Sequence, residues 1–348
     1  MKLLELRKRI EVTRIKVGFV AKGITDDMSN NILILSCGTR DLLVRYFKRA
    51  DYERVIGADC SELAPALYEA DKYYLIPRMK EEGYFDAILE ICRKEGITAI
   101  LPLQEDELNL ISENRELFEQ EGIRTIVSPV ETLQICRDKY CFFEHMTEHG
   151  IPVLNSYIDL AEFEKAYEAG KIGFPVFVKP VRGAGSVGVM KVSCMELLKA
   201  LFAYSEEPLL IQEFCNGREF GIDVYVDLVS GEVVDIFAKE KLRMRAGETE
   251  KSVTSNDPAL KEFGYRAAST LKLSGPVDMD VFEKDGIFYL SEINPRFGGG
   301  FPHAYACGVD TPSYILQNLQ GIANESHLQE KREEIYVLKY SDILCIDR

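Results

Sequence analysis

The sequence predicts two kinds of domain in succession: an α/β domain built on a parallel sheet, then an α+β domain. Three observations carry this. Between residues 31 and 127, short apolar runs alternate with helical stretches, as parallel strands joined by crossover helices do. From about residue 130 the alternation gives way to pairs of strand-like runs around glycine-containing turns, which read as hairpins. Of the 348 residues, 46% are hydrophobic and 28% charged, the balance of an ordinary globular chain.

The first strand, 31–36, is a continuous apolar run of the kind buried on both faces. Cys37-Gly38-Thr39-Arg40 leads into a helix over Asp41–Arg49. A strand over 54–58 ends at Asp59, and a helix over Tyr84–Glu95 precedes a strand over 99–103. A helix over 107–121 and a strand over 125–127 follow, and Ser128-Pro129 breaks the pattern. Ligands of open parallel sheets gather outside the strand carboxyl ends. Those ends carry Gly38, Asp59 and the run Gln104-Glu105-Asp106-Glu107. Residues 1–27 stand apart. An extension ahead of a natural start at Met28 and a native helix over 3–14 both fit them, and the sequence leaves both open.

Beyond the break, a helix over Lys139–Glu148 stops at Gly150-Ile151-Pro152. Runs 175–179 and 188–192 flank a glycine-rich turn, and runs 219–226 and 232–239 flank Ser230-Gly231. Runs 277–283 and 287–293 flank Asp285-Gly286, a strong hairpin signal. No internal repeat or low-complexity segment interrupts this order.

Charge and cysteine usage narrow the function. Lys and Arg number 42 against 57 Asp and Glu, a formal net charge of −15 with no compensating basic block. Nucleic-acid binding draws on phosphate neutralisation, so it is disfavoured. No apolar run approaches bilayer length, and the mean hydropathy is −0.10. The basic start, 1–16, lacks the long apolar stretch of a signal peptide. The nine cysteines include no C-x-x-C pair, so free thiols in a reducing compartment are expected. Four histidines supply a His-rich metal site poorly. The expectation is a cytoplasmic protein with neither nucleic acid nor membrane as partner.

Three segments carry chemistry. In F-P-V-F-V-K-P-V-R-G-A-G-S-V-G-V-M (174–190), a strand ends at Lys179 and a loop follows with Gly183, Gly185, Ser186 and Gly188. Such a loop can wrap backbone N–H groups around phosphate while lysine supplies a point charge. It is not a Walker A loop, and a tight hairpin accounts for three glycines about as often. In L-L-I-Q-E-F-C-N-G-R-E (209–219), Glu213 and Glu219 could accept hydrogen bonds from an adenine amine and ribose hydroxyls; solvated carboxylates at a strand end are the bland alternative. In 278–300, a hairpin closed at Asp285-Gly286 puts Asp280 and Glu292 on neighbouring strands, with Glu292 and Asn294 facing one way. Converging Asp, Glu and Asn oxygens suit Mg²⁺, with nucleotide phosphates completing the octahedron. Arg296 follows as an anion clamp. Between these segments Lys239, Lys241, Arg243 and Arg245 alternate, so all four share a face if extended. Arg243 is the first candidate there for binding a carboxylate or acyl phosphate, against a solvated basic edge.

Taken in order, these residues resemble the ATP-grasp superfamily over roughly residues 31 to 320, nearest its carbamoyl-phosphate-synthase-like single-copy carboxylate–amine ligases. Asp138-Lys139 is similar to the pair that opens that domain. F-V-K-P with G-A-G-S-V-G resembles its second lysine and phosphate loop, I-Q-E-F-x-G-x-E its adenosine segment, and Asp280 with E-I-N-P-R its metal and clamp residues. The resemblance implies a Rossmann-like pre-ATP-grasp domain over 28–128. An ATP-grasp domain over 129–325 would follow, divided into 129–208 and 209–325, with a tail over 326–348. It further implies Lys139, Lys179 and the loop at ATP phosphates, and Gln212, Glu213 and Glu219 at adenosine. Asp280, Glu292 and Asn294 would hold two Mg²⁺, for which Mn²⁺ can substitute, with Arg296 nearby. The implied reaction activates a small carboxylate as an acyl phosphate for attack by an amine or similar nucleophile, and a homodimer is allowed. One such domain in 348 residues sets the chain apart from the larger carbamoyl phosphate synthases and biotin carboxylases.

Two other classes compete. Gly38 with Asp59 further on mimics the fingerprint of an NAD-dependent oxidoreductase, but S-C-G-T-R-D lacks the second and third glycines of the pyrophosphate turn. A non-catalytic ATP-binding subunit or regulator has less need of the intact E-I-N-P-R set. His145-Met146-Thr147-Glu148-His149 fits a zinc-protease pattern, yet no third ligand is evident, and a solvated last helical turn is the expectation.

Overall fold

The computed structural model describes residues 30–183, 188–245, 247–329 and 331–346. The segment 1–27, with Gly185 and Ser186, lies outside the described residues. Five strands, Asn31–Leu35 (β1), Arg54–Asp59 (β2), Lys72–Leu75 (β3), Ala99–Pro102 (β4) and Arg124–Thr125 (β5), form a sheet in the order β3-β2-β1-β4-β5. Every pair in it is parallel. Helices Asp41–Arg49 (α1), Tyr84–Glu95 (α2), Glu105–Glu113 (α3) and Arg115–Gln120 (α4) make the connections. The period of two along β1 sorts its apolar side chains. Ile32 and Ile34 join a core shared with Phe297, Phe301 and Tyr314 from the far end of the chain. Leu33 and Leu35 join one shared with α2 and α3. The strand order reverses between β1 and β4, so a crevice opens at their carboxyl ends.

Three local expectations shift here. The helix expected over 107–121 is two helices broken at Asn114, whose Nδ2 donates to the Leu110 carbonyl at 2.8 Å. Asparagine competes in this way with the helical backbone ladder. The strand expected at 125–127 pairs only over Arg124–Thr125. β3 carries no apolar alternation because it is an exposed edge, and the sequence pattern passes over it.

The second sheet follows helices Val130–Arg137 (α5) and Lys139–Glu148 (α6). It consists of Ser156–Tyr157 (β6), Val176–Pro180 (β7), Met190–Val192 (β8) and Leu209–Glu213 (β9), antiparallel in the order β6-β9-β7-β8. Helices Leu160–Glu168 (α7) and Met195–Tyr204 (α8) cover it through Phe163, Ala166 and Leu198, which pack on Val176, Val178 and Ile211. The β7–β8 hairpin holds the glycine loop, as the sequence indicated.

The third sheet comprises Arg218–Val226 (β10), Val233–Arg245 (β11), Glu248–Ser255 (β12), Gly275–Lys284 (β13), Ile287–Asn294 (β14) and Tyr336–Leu338 (β15). Its order is β14-β13-β10-β11-β12-β15, antiparallel throughout. Pro258–Ala268 (α9) covers it, and Phe301–Ala306 (α10) and Thr311–Leu319 (α11) return to the first sheet. Asp285 and Gly286 both have positive φ, 54° and 78°, which the tight β13–β14 turn requires. All nine cysteines are free. Among the described residues no helix is long and apolar enough to cross a membrane.

Candidate active site

The three sheets meet around a cleft of about 640 Å³. Its first wall is cationic. Asp138 caps α6 by accepting from the Tyr140 and Cys141 amides at 3.2 and 3.1 Å, which places Lys139 on the first turn. Lys139 Nζ donates to the Gly183 carbonyl at 2.7 Å, tying the helix to the loop after β7. Lys179 Nζ donates to Gln212 Oε1 at 2.8 Å across the β7–β9 pair, and Gln212 Nε2 donates to Ser156 Oγ at 3.2 Å. Burial lowers both lysines. Lys179 is pushed down to about 8, with Lys139 adding to the effect and Glu292 and Asp280 opposing it. Burial depresses Lys139 against the pull of Glu292, Glu105 and Asp138. Among the described residues neither ammonium pairs with a carboxylate, and two partly desolvated ammonium groups so placed can receive a polyanion.

The opposite wall is acidic. The β13–β14 register pairs Asp280 with Glu292 and Asp278 with Asn294, bringing all four to the cleft. From β11, Lys241 donates to Glu219 Oε1 at 2.9 Å and to Asp280. Burial raises the Asp280 carboxyl. Lys241 opposes that rise, while Asp278 and Glu292 add to it. Burial works against the Lys241 charge too, yet Asp280, Glu219 and Asp278 outweigh it and hold this ammonium above its ordinary value. Asn294 Nδ2 donates to Glu292 Oε1 at 3.1 Å, which leaves the amide oxygen available to a cation. Hard oxygen donors of this kind fit Mg²⁺. Among the described residues no group of three or more His, Cys, Asp or Glu gathers into a metal cage. Two carboxylates and an amide are a partial shell that phosphate and water would have to complete.

At the mouth, Glu213 is held by Asn155 Nδ2 at 2.8 Å and Lys284 Nζ at 3.2 Å. Toward the parallel sheet, Arg296 donates to the Phe297 carbonyl at 3.0 Å and pairs with Asp278 at 3.4 Å. A Cβ on Gly298 would lie 2.3 Å from Asp278 Oδ1, so only glycine lets the chain after β14 pass this carboxylate. Arg40 and Glu105 complete this end, from the loops after β1 and β4. The sequence reading noted both positions but assigned neither a role; their place at the carboxyl ends of adjacent parallel strands was the available signal.

One expected grouping does not form. β11 bulges at Leu242, between Lys241, opposite Ser252, and Arg243, opposite Lys251, so the alternation of cations breaks. Lys239 is buried against Asp223, and Lys241 enters the cleft. Arg243 instead faces outward, 62% exposed, paired with Glu250 at 2.8 Å, and Met244 takes its place in the cleft wall. Of the glycine loop, Gly183 lines the cleft and Gly188 packs on Pro180.

The two decoys have structural uses. Asp59 accepts from the Gly38 and Ser61 amides, both at 2.9 Å, and so ties the turn after β1. His145 and His149 stack at 4.2 Å, with ring nitrogens hydrogen-bonded to the carbonyls of Thr270 and His145.

A parallel sheet joined to two antiparallel sheets, with lysines and carboxylates facing each other across the cleft between them, is the arrangement that the resemblance to the ATP-grasp superfamily implies. Family models match the two parts of the chain separately, a PylC-like one at the N-terminal side and an ATP-grasp one toward the C-terminal side. Residues 32–126 match the family described as PylC-like, N-terminal domain. Residues 205–343 match the one described as ATP-grasp in the biosynthetic pathway with Ter operon. The arginine-specific carbamoyl phosphate synthase large chain of Bacillus subtilis is 26% identical over 52% of this chain and 18% of its own. The D-alanine–D-alanine ligase of Ruminiclostridium cellulolyticum is 31% identical over 47% and 50%, respectively. The chain thus spans at most about half the length of these curated relatives. A Campylobacter jejuni biotin carboxylase, solved as a β,γ-ATP complex, superposes with a TM-score of 0.70 at 20% identity, covering 88% of this chain and 74% of that one. Staphylococcus aureus N5-carboxyaminoimidazole synthetase, complexed with ADP, gives 0.68 at 16%, covering 86% and 79%.

Proposed function

We propose that this chain is an ATP-dependent carboxylate–amine ligase. The observation that carries the reading is the convergence on one cleft of two desolvated lysines, Lys139 and Lys179, with the oxygen set Asp280, Glu292 and Asn294. In this reading the lysines and the loop from Gly183 to Gly188 cradle the ATP phosphates, while Gln212, Glu213 and Glu219 orient adenosine. Asp280, Glu292 and Asn294 hold Mg²⁺, two ions with Mn²⁺ able to replace them, and the metal supplies charge neutralisation on the phosphates. A substrate carboxylate oxygen attacks the γ-phosphorus, the bond to the bridging oxygen breaks, and ADP leaves. An amine nitrogen then attacks the acyl carbon, loses its proton, and expels phosphate. The first step needs alignment and charge compensation rather than a side-chain nucleophile. Arg296, at the junction of the cleft's two halves, is the residue assigned to the transferring group.

Nucleotide complexes among the structural neighbours and a ligase among the relatives support the reading. Free cysteines throughout suit a cytoplasmic setting. One neighbour is described as a biotin carboxylase domain dimer, and a homodimer is proposed here too; sedimentation analysis reads it directly. The decisive test combines calorimetry with a non-hydrolysable ATP analogue and a screen for ADP release across small carboxylates and amines. Mg²⁺-dependent binding and carboxylate-dependent release are expected. Binding of NAD with none of ATP would overturn the proposal.

A further inference from the structure

The charges lining the cleft sort into used and unused. Lys241 serves Glu219 and Asp280, Lys284 serves Glu213, Lys339 serves Glu248, Arg182 serves Asp138, and Arg296 serves Asp278. Lys139, Lys179 and Glu292 are taken up by the phosphate and metal roles proposed above. Two charged side chains of the lining remain, Arg40 and Glu105, and among the described residues neither makes an ion pair. Both belong to the parallel-sheet domain. Arg40 stands at the start of α1 after β1, and Glu105 at the start of α3 after β4. β1 and β4 are the neighbours at which the strand order reverses.

Among the described residues the Arg40 side chain has one hydrogen-bond acceptor, the Phe297 carbonyl at 3.4 Å, and Arg296 donates to the same oxygen. Two guanidinium groups on one carbonyl repel. Burial and then Arg296 depress Arg40, with only Glu248 and Asp278 opposing. Glu105 is raised by burial, with Arg296 as its largest counterweight. Arg40 and Arg296 therefore meet at the Phe297 carbonyl, Glu105 lies in the same lining, and among the described residues Arg40 and Glu105 form no ion pair with each other. Such a surface is incomplete without a ligand that brings an anion to the arginine pair and a cation to the carboxylate.

Resting on the ligase reading, we propose that this seam binds a zwitterionic amino acid. Its carboxylate sits between Arg40 and Arg296, and its ammonium sits at Glu105. Arg296 then presents the bound carboxylate toward the phosphate half of the cleft, so the amino acid is the substrate activated by ATP. Arg40 is the residue that the parallel-sheet domain contributes to this specificity.

The test uses the full chain with L- and D-amino acids and the matching acids that lack the amino group. ADP release and titration calorimetry of the same compounds, with and without the ATP analogue, are read in parallel. At least one amino acid is expected to outperform its deaminated counterpart by roughly 10-fold or more in kcat/KM. Arg40→Gln should raise KM for both by roughly 10–100-fold while leaving affinity for the ATP analogue within about twofold. Arg40→Lys should recover part of that loss, and Glu105→Gln should erase the preference for the amino group. Simple acids favoured over amino acids, or Arg40→Gln without effect on KM, overturns the seam while the ligase reading stands. Loss of ATP binding in the wild type sinks the ligase reading instead. Amino-acid heats without nucleotide, abolished by Arg40→Gln, would then still support the seam, and their absence would end it.

Discussion

At the scale of single residues, the phosphate role proposed for Lys179 would couple nucleotide binding to pH. Its free value is near 8, and an arriving polyphosphate pushes it back up by opposing the desolvation that lowered it. Between that value and the higher one in the complex, the free enzyme must take up a proton to bind. Affinity for the ATP analogue should therefore fall about tenfold per pH unit above pH 8, with net proton uptake visible as a dependence on buffer ionisation heat. Lys179→Met should abolish the uptake and weaken binding at pH 7. Glu292→Gln keeps size and hydrogen-bonding reach but removes the charge proposed to hold Mg²⁺. It should cut ADP release by about 100-fold or more, leave the melting temperature within about 2 °C, and recover partly at high Mg²⁺, which Lys179→Met should not. Steady-state kinetics across Mg²⁺ concentrations, beside thermal melts, separates the two.

Among the elements, α6 joins stability to the site. Its cap Asp138 binds the Tyr140 and Cys141 amides and pairs with Arg182 at 3.2 Å. Asp138→Ala should lower stability by about 1 kcal/mol, read as a shift of the urea midpoint, while Asp138→Ser should retain most of it. Elements with local signals were legible in the sequence. α6 begins and ends as predicted: Gly150-Ile151-Pro152 marks its end in the sequence, and the structure shows Asp138 capping its start. The β13–β14 hairpin follows from Asp285-Gly286. The break at Asn114 and the bulge at Leu242 were not legible, since each is a one-residue event inside an uninterrupted hydrophobic or charge pattern. The second of these removed Arg243 from the cleft.

Over the whole molecule, one hydrophobic core spans both domain types. Tyr46 stacks on Tyr305 at 3.7 Å, Phe47 meets Phe297 edge-on at 5.9 Å, and Tyr52 donates to the Pro312 carbonyl at 3.0 Å. The face of the first sheet that carries Ile32 and Ile34 is therefore covered by α10 and α11. Residues 30–128 expressed alone should expose this aromatic face and melt at lower temperature or associate. The full chain should unfold in one calorimetric transition. Two well-separated transitions in the full chain, the first matching the isolated fragment, would contradict a shared core.

The sequence by itself determined the succession of parallel and antiparallel sheets and the three hairpins, and it put forward the lysines, carboxylates and glycines proposed here for phosphate and metal chemistry. Each of these rests on period, turn chemistry or motif spacing, which are local properties of a chain. Tertiary structure alone decided which charges share the cleft and which are left without a partner there. Period two tells which way a side chain points, but not which strand lies beside it. Arg40 and Glu105 become neighbours of Arg296 only because β1 pairs in register with β4, Leu35 opposite Pro102, while the turn after β14 packs across their carboxyl ends.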